Sequence, residues 1–531
     1  MSTPLDHSRH ATSIGQFLEE AAQRYSNLNA FSCGPMKLGY SELAQHGKAF
    51  AAYLQSVGVA KGDRVAIMTP NLPAFPIATL GILKSGAAQV NINPQYTASE
   101  LEHQLNDSGA ETLVVFSGST ASYAAIKDNC PVKRVIVVNM SDGTSSDLPS
   151  PELDPAITDF VRFSDALATG AELEFQPVEI AREDLAFLQY TGGTTGPSKG
   201  AMLSHHNILS NIAQSYERIA DVTCETEEVV VTAIPMYHIF ALSVNFLTFA
   251  GCGSHNILIT NPRDMAGFMA DIKDSGFTVI TGVNTLYAGM TSHPDFVNVD
   301  FSKLKASING GTAALEATSD KWQSITGRPL IQGYGLSETS PILTWTLASV
   351  RTFTGKIGQA YPDTDIKLLD DANNEVAVGE RGELVAKGPQ VTSGYYKQPE
   401  ATAEAFTADG YFRTGDIAIA DETGTFKIVD RKKDMVIVSG FNVYPNEVEQ
   451  AAAKCEGVRE CACLGVPDEK TGEAVKLFVV REAGSKVTQE DIIAHCRDHL
   501  TSYKVPKIVT FIDEVPKSAV GKMLRRVLRD A

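Results

Sequence analysis

The sequence predicts an α/β fold. A large N-terminal part is built on parallel-rich sheets covered by helices and carries a small β-barrel-like subdomain. A small α+β C-terminal unit follows on a hinge. Three observations carry this expectation. The first third alternates short β-branched runs with Ala-rich helical runs, which implies parallel strands joined by covering helices. After about residue 345 strands shorten and turns crowd together (IKLLDDANNEV, GELVAKG, TGTFKIVD), which suits an antiparallel or barrel-like unit. A second change falls at the charged run Asp430-Arg431-Lys432-Lys433-Asp434, which reads as a hinge. The expected divisions are 1–430, with the barrel-like part at about 346–430, and a mobile unit at 431–531.

Residues 63–68 (DRVAIM) read as a strand, and 74–85 as a helix closed by Gly86 as its C-cap. Residues 88–93 are strand-like. Residues 99–108 form a helix with Ser99 and Glu102 at capping-box spacing, and 111–116 a further strand. The Ser-, Asp- and Pro-rich stretch 139–158 reads as a surface loop. Near the C-terminus, 445–453 reads as a helix with Pro445 in its first turn and Glu447 and Glu449 near its positive end. A buried strand at 475–480 and a helix at 492–500 follow. No repeat of 20–50 residues is visible.

Residues 229–262 contain no Asp, Glu, Lys or Arg. A membrane-spanning helix needs ~20 mostly apolar residues, but Pro235, His238, Asn245, Gly251 and Gly253 interrupt this run. It reads as buried strand, loop and core helix, with peripheral contact to a membrane left open.

Over 531 residues the chain is 43% hydrophobic and 20% charged, the balance of a folded chain with sizeable cores. Its net charge of −18 repels phosphate backbones and argues against nucleic acid as a partner. A local basic pocket for a phosphorylated small molecule is compatible with that charge. The eight cysteines include no CxxC pair and are too few for a disulfide framework. Cys461 and Cys463 fall on one side of a strand and read as buried small hydrophobes, with a metal or redox site as the alternative. No basic region followed by an apolar run opens the chain, so the expected location is cytoplasmic.

The segment 185–200, LAFLQYTGGTTGPSKG, carries the sharpest chemistry. An apolar strand enters a loop with four glycines. Glycines let the backbone approach an anion, and consecutive N–H groups form an anion nest. Thr191, Thr194, Thr195 and Ser198 add hydroxyls and Lys199 a cation, a set suited to polyphosphate. It is not a Walker A loop, because Gly200 follows Lys199, and it is not a GxGxxG turn.

This segment resembles the phosphate-binding signature of the adenylate-forming superfamily: acyl-CoA synthetases, peptide-synthetase adenylation domains and beetle luciferases. Further segments resemble that superfamily in order: Gln332-Gly-Tyr-Gly-Leu-Ser-Glu338-Thr, Tyr411-Phe-Arg-Thr-Gly-Asp416, Asp430-Arg431-Lys-Lys433 leading into Ser439-Gly440-Phe-Asn-Val-Tyr-Pro, and Gly521-Lys522. The resemblance spans essentially the whole chain. PMYHIFAL, ITNPRD, ITGVNTLY and SGFNVYPNEVE are most similar to bacterial long-chain fatty-acid–CoA ligases.

The resemblance implies roles. Thr191, Gly192, Gly193, Thr194, Thr195, Gly196 and Lys199 would hold the phosphates of ATP. Gly310, Gly311, Thr312, Gly333, Tyr334, Gly335 and Thr339 would line the base, with Tyr334 placed to stack on it. Asp416 and Arg431 would take the ribose hydroxyls. Glu338, with Thr194, would hold Mg²⁺; a carboxylate beside a phosphate nest is repulsive unless a cation intervenes. Lys522 would bind the attacking carboxylate and the charge developing on the α-phosphate, a contribution of about 3–4 kcal/mol. Lys433 would be the hinge residue. Ser439, Gly440 and Phe441 would line a tunnel for CoA, and Tyr237, His238 and Phe240 would line the acyl pocket.

Many relatives carry Ser at the Gly192 position and Pro at the Ser198 position; here Pro197 stands one place earlier. The segment 308–314 is less typical of fatty-acid ligases than its neighbours, which leaves chain length open. The implied activity is an AMP-forming ligase acting on ATP, a fatty acid and CoA, long acids favoured. A medium-chain or aryl-alkanoate ligase, an acyl-AMP ligase loading a carrier protein, and a non-catalytic sensor are the alternatives. A homodimer and a peripheral association with the inner membrane are left open.

Overall fold

The computed structural model describes residues 4–191, 197–219, 223–518, 521 and 523–529. Three sheets organise them. A seven-stranded sheet runs Val161–Arg162, Arg134–Val138, Thr112–Phe116, Arg64–Met68, Ala88–Asn91, Leu185–Thr191, Lys199–Ser204. Its pairings are parallel except the last, an antiparallel hairpin. A 13-stranded sheet starts at an edge strand, Met36–Gly39, antiparallel to Asn29–Cys33, and has a parallel part in the order Asn29–Cys33, His255–Leu258, Val229–Thr232, Val279–Gly282, Ala306–Asn309, Leu330–Gly335. Beyond Leu330–Gly335 it becomes antiparallel, through Ile342–Trp345, Gly358–Ala360, Thr425–Arg431, Phe412–Ala420, Arg381–Lys387 and Asp365–Leu369.

The two-residue period of these strands sorts their side chains between cores. Val65 and Ile67 enter one core while Ala66 and Met68 enter another; Val230 and Val231 divide in the same way. The core shared by both large sheets also holds the helices Ile14–Arg24, Tyr40–Ser56, Ala74–Lys84 and His205–Ile219. A helical layer therefore lies between the sheets. Ala98–Ser108 covers the far face of the smaller sheet, and Met265–Ile272, Asn284–Ser292 and Glu316–Thr326 cover that of the larger. Strands buried on both faces read as continuous apolar runs, as these do.

The uncharged run 229–262 supplies the strands Val229–Thr232 and His255–Leu258 with a buried π-helical segment, Ala241–Thr248, between them. Its one amide, Asn245, is satisfied inside: Nδ2 donates to Thr232 Oγ1 at 3.1 Å and Oδ1 accepts from Thr281 Oγ1 at 3.0 Å. Among the described residues no helix is long and apolar enough to cross a membrane. The antiparallel strands wrap one small core, to which Leu343, Leu368, Leu384, Ala418 and Phe426 contribute from both ends of the ladder. That is the barrel-like subdomain the turn-dense sequence predicts.

Two helix starts differ from expectation. Ala98–Ser108 is capped by Thr97 and Glu100, not Ser99 and Glu102. Both pairs have the required spacing, and the earlier one adds helical hydrogen bonds, beginning with Leu101 N to Thr97 O. Gln489–His499 starts three residues before 492, capped by Thr488 with Asp491. Its first turn is polar, so the apolar periodicity begins only at Ile492.

The last hundred residues build a five-stranded sheet: Phe441–Val443, Val436–Val438, Gly472–Arg481 and Val458–Asp468, with Ile508–Phe511 parallel to Gly472–Arg481. Cys461 and Cys463 enter one of its cores and Ala462 and Leu464 the other. Burial raises both thiols well above their ordinary range. Among the described residues no cluster of His, Cys, Asp and Glu is arranged to hold a metal ion.

Around the charged run lies a buried ionic cluster. Asp430 accepts from Arg431 N and Asn446 N, both at 2.7 Å, the latter at the start of the helix Pro445–Ala452. Arg525 donates to Glu449 at 2.8 Å, Asn446 Oδ1 at 3.0 Å and Asp434 at 3.3 Å. Burial pushes the Asp430 carboxyl up to about 7, against the pull of Arg525 and the two amides. The folded chain thus holds this proton more tightly than the unfolded one, where an aspartate titrates near ~3.9. Its contribution to stability is full below that value and is lost as pH rises through 7. Between pH 5 and 8, Asp430→Asn is expected to remove about 2.6 kcal/mol of pH dependence. Unfolding midpoints at both pH values check this; parallel shifts in variant and parent would refute it.

Candidate active site

The site grows from the C-terminal ends of parallel strands, where open α/β sheets bind ligands. Leu185–Thr191 leads into the Gly-rich loop, Val279–Gly282 to Val283, and Ala306–Asn309 to Gly310-Gly311-Thr312. Leu330–Gly335 leads to the turn that holds Glu338. Gly192, Gly193, Thr194, Thr195, Gly196 and Lys522 lie outside the described residues. Thr191 faces Lys199 across the hairpin that closes the loop. His103 Nε2 meets Ser198 O at 2.9 Å and fixes its returning end.

Glu338 is 7% exposed. Its Oε1 accepts from Tyr395 Oη at 2.8 Å, and its carbonyl accepts from Thr392 N at 2.7 Å. Among the described residues no Lys or Arg comes within ion-pair distance of it. A buried carboxylate with no cationic partner costs several kcal/mol, so the donor set fits a small hard cation such as Mg²⁺. Thr339, the next residue, spends its hydroxyl inside the turn, accepting from Leu336 N at 3.0 Å and donating to Pro341 O.

Asp416 is 4% exposed and held from two sides. Tyr334 Oη donates to Oδ2 at 2.6 Å and Arg431 Nε to Oδ1 at 3.0 Å. Burial, reinforced by this carboxylate, raises the Tyr334 phenol well above its ordinary range, so it stays a proton donor. Tyr334, Asp416 and Arg431 come from three strands and meet at one point. Beside them Thr414, Gly415, Arg431, Lys432 and Lys433 line a cavity of about 300 Å³. Burial and the neighbouring Arg431 lower the Lys433 ammonium.

The base segment and the acyl residues also meet. A Cβ on Gly310 would lie 2.7 Å from the Phe240 ring, so only a bare backbone admits that ring. Tyr237 O accepts from Gln189 Nε2 at 3.2 Å, tying it to the strand before the loop. His238 Nδ1 accepts from Phe240 N at 3.3 Å, which shapes the turn into the following helical segment. Gly333 packs against Trp345 and Gly335 against Pro341 O, while Thr312 Oγ1 accepts from Asn284 N at 3.4 Å.

The C-terminal unit presents one of its two implied loops to this site. Gly521 lies against Val283 and Thr285: an added Cβ would fall 2.9 Å from Val283 Cγ2 and 2.8 Å from Thr285 Oγ1. Val283 also faces Gly311. Gly521 thus brings the C-terminal unit next to Val283 and the Gly310-Gly311-Thr312 segment. The other loop, Ser439-Gly440, has φ of +53° and +83° and caps the hairpin of Val436–Val438 and Phe441–Val443. Phe441 is 57% exposed and stacks on Tyr503 at 4.9 Å. Sequence reasoning missed Tyr395, Tyr334 as a partner of Asp416, and His103. Their signal is long-range pairing, which no local motif displays.

Known proteins share these features. The family described as AMP-binding enzyme matches residues 18–396, and the AMP-binding enzyme C-terminal domain matches 447–522. A long-chain-fatty-acid–CoA ligase of Yersinia pestis is 45% identical over 538 residues, covering 99% of this chain and 95% of that protein. ATP-bound MatB of Rhodopseudomonas palustris superposes with a TM-score of 0.84 at 29% identity, covering 96% of this chain and 98% of that one. The apo form of MatB gives 0.73 at 29% identity, covering 98% of each.

Asp416→Asn keeps the shape of the side chain but loses its charge. Hydrogen bonds to a charged group are worth ~1.5–3 kcal/mol, so the KM for ATP is expected to rise about 10- to 100-fold, more than kcat falls. Discrimination against 2′-deoxy-ATP should shrink together with it. Unchanged discrimination would remove Asp416 from the ribose.

Proposed function

We propose that this chain, which belongs to the AMP-binding enzyme family, is an AMP-forming acyl-CoA synthetase that activates long-chain fatty acids. Identity of 45% to a long-chain-fatty-acid–CoA ligase over nearly the whole of both chains supports the substrate class. The observation that carries the mechanism is the position of Gly521, the residue before Lys522, beside Val283 and Thr285 at the strand ends.

The reaction has two steps. The fatty-acid carboxylate attacks the α-phosphorus of ATP; a new P–O bond forms, the bond to the β-phosphate oxygen breaks, and pyrophosphate leaves. The CoA thiol, losing its proton, then attacks the acyl carbon, and AMP leaves with the electron pair of the broken acyl C–O bond. Splitting one difficult displacement into two is what makes the thioester accessible. Thr191 and Lys199, with the loop between them, hold the phosphates. Asp416 and Arg431 fix the ribose, and Tyr237, His238 and Phe240 border the acyl chain. Lys522 places the two anionic reactants together and offsets the charge that develops between them. Mg²⁺, held by Glu338 and Thr194, would neutralise phosphate charge when bound.

The large unit, 1–430, and the mobile unit, 431–531, turn about Lys433 between the steps. The position of Gly521 against Val283 and Thr285, with Phe441 exposed, supports the adenylation orientation for this structure. The better superposition on ATP-bound than on apo MatB supports that assignment. Rotation would bring Ser439 and Gly440 to the site as the wall of a pantetheine tunnel.

Purified protein with Mg-ATP and acids of two to eighteen carbons is expected to release AMP only with CoA in steady state, best with long acids. Adenylate that CoA does not advance would identify a carrier-loading ligase instead. Lys522→Ala should slow adenylation roughly 10²–10³-fold while sparing thioester formation from synthetic acyl-adenylate. Gly440→Leu should do the reverse. Equal loss of both half-reactions in either variant would overturn the two-orientation scheme.

A further inference from the structure

A carboxylate that receives a metal needs its orientation fixed by a partner that does not cancel its charge. A lysine or arginine would fix Glu338 but would compete with the cation. Tyr395 supplies the alternative, a neutral phenol donating to Oε1 at 2.8 Å, which leaves Oε2 free of that bond.

The backbone around Tyr395 is anchored to the other half of the site. Tyr395 bridges Ala201, Tyr396 N donates to Gly200 O at 2.8 Å, and Met202 N donates to Gly394 O at 3.0 Å. The segment is therefore sewn to the strand Lys199–Ser204, which returns from the Gly-rich loop. Tyr395 N also donates to Thr402 Oγ1 at 2.9 Å, which pins the residue from behind. The face of the Tyr395 ring carries Lys199, whose Nζ lies 5.2 Å from its centroid. A cation over a phenol face is attracted without a carboxylate, so the ring offers the ammonium a resting place off Glu338.

We propose that Tyr395 is the positioning residue of the metal site: its phenol orients Glu338 toward the cation and its ring keeps Lys199 available for the phosphates. This rests on the reading of Glu338 as the Mg²⁺ ligand. Tyr395 touches neither substrate nor metal and acts through its two neighbours.

The test is calorimetric titration of the full-length protein with a non-hydrolysable ATP analogue at stepped Mg²⁺ concentrations, with metal-free AMP binding measured beside it. Loss of such an outer partner lowers metal affinity by about tenfold or more. Tyr395→Phe is thus expected to raise the Mg²⁺ concentration for half-saturation by about tenfold. AMP binding should be unchanged, and saturating Mg²⁺ should restore kcat. Tyr395→Leu, which also removes the ring, should in addition weaken analogue binding at saturating Mg²⁺. Intact AMP binding in each variant shows that the site has folded. Glu338→Gln separates the two layers of the argument. If it leaves the Mg²⁺ requirement unchanged, the reading of Glu338 fails. If it raises the requirement while Tyr395→Phe does not, the role given to Tyr395 fails. Weakened AMP binding in Tyr395→Phe, unrelieved by Mg²⁺, would reduce Tyr395 to a structural residue and overturn the proposal.

Discussion

Two carboxylates lie nearly withdrawn from water, and the arrangement at the strand ends depends on how they are held. Glu338 and Asp416 are each below a tenth exposed, and each receives a phenol, from Tyr395 and Tyr334 respectively. A phenol lends one short hydrogen bond and no charge. The carboxylate is held in place yet remains able to attract a cation or to accept from ribose hydroxyls. The difference between the two is informative. Asp416 also has Arg431 at 3.0 Å, so its charge is already compensated and its task is recognition. Glu338 has no such partner among the described residues, so its charge is kept for what binds. A chain of net charge −18 can hold a polyphosphate only by local placement of this kind, with Lys199 and Arg431 set among acidic groups.

The second dependence lies at the hinge. Arg525 is three residues from Lys522 in sequence and is buried against Glu449, Asp434 and Asn446, next to Asp430. Lys517 and Met523 form a β-bridge beside this anchor. Asp430 lies one residue before the end of the strand Thr425–Arg431 and binds the first turn of the helix Pro445–Ala452. One ionic cluster therefore connects the end of the large sheet, the turn at Lys432–Asp434 and the C-terminal segment at Arg525. Charge pairs suit such a joint better than apolar contacts, because their geometry is directional while apolar packing is not.

Much of this was legible in the sequence because it is local. Strand–helix alternation, the Gly/Thr loop, the change in texture near 345 and the charged run at 430 each occupy a few consecutive residues. What escaped is what distance in sequence conceals. Tyr395 lies 57 residues from Glu338 and Tyr334 lies 82 from Asp416. Neither tyrosine carries a local mark that separates it from a core aromatic, and Tyr334 reads equally well as a ring for the base. Thr339 is a different case: a hydroxyl beside Glu338 invites a ligand role from the sequence, and the tight turn also engages it internally. The Ser99 cap failed for a third reason, since two overlapping boxes satisfy one rule and only the start of the helix decides between them.

The place of the site follows from a single change of direction in the large sheet. From Asn29–Cys33 across to Leu330–Gly335 each strand is parallel to its neighbour, and the loops after their C-terminal ends crowd on one edge. At that strand the sheet turns antiparallel, because the chain doubles straight back into Ile342–Trp345 instead of crossing over through a helix. The reversal is tight enough that a Cβ on Gly335 would lie 1.7 Å from Pro341 O, so only glycine can stand there. Glu338 sits at the tip of that reversal. It is delivered to the edge where Gly310, Val283 and Thr191 already emerge, and the antiparallel strands that follow return Asp416 and Arg431 to the same place. The barrel-like subdomain is thus the means by which residues 80 to 100 positions beyond the last parallel strand, by rough count at the spacing strands and turns require, come back to the parallel strand ends and complete the nucleotide site.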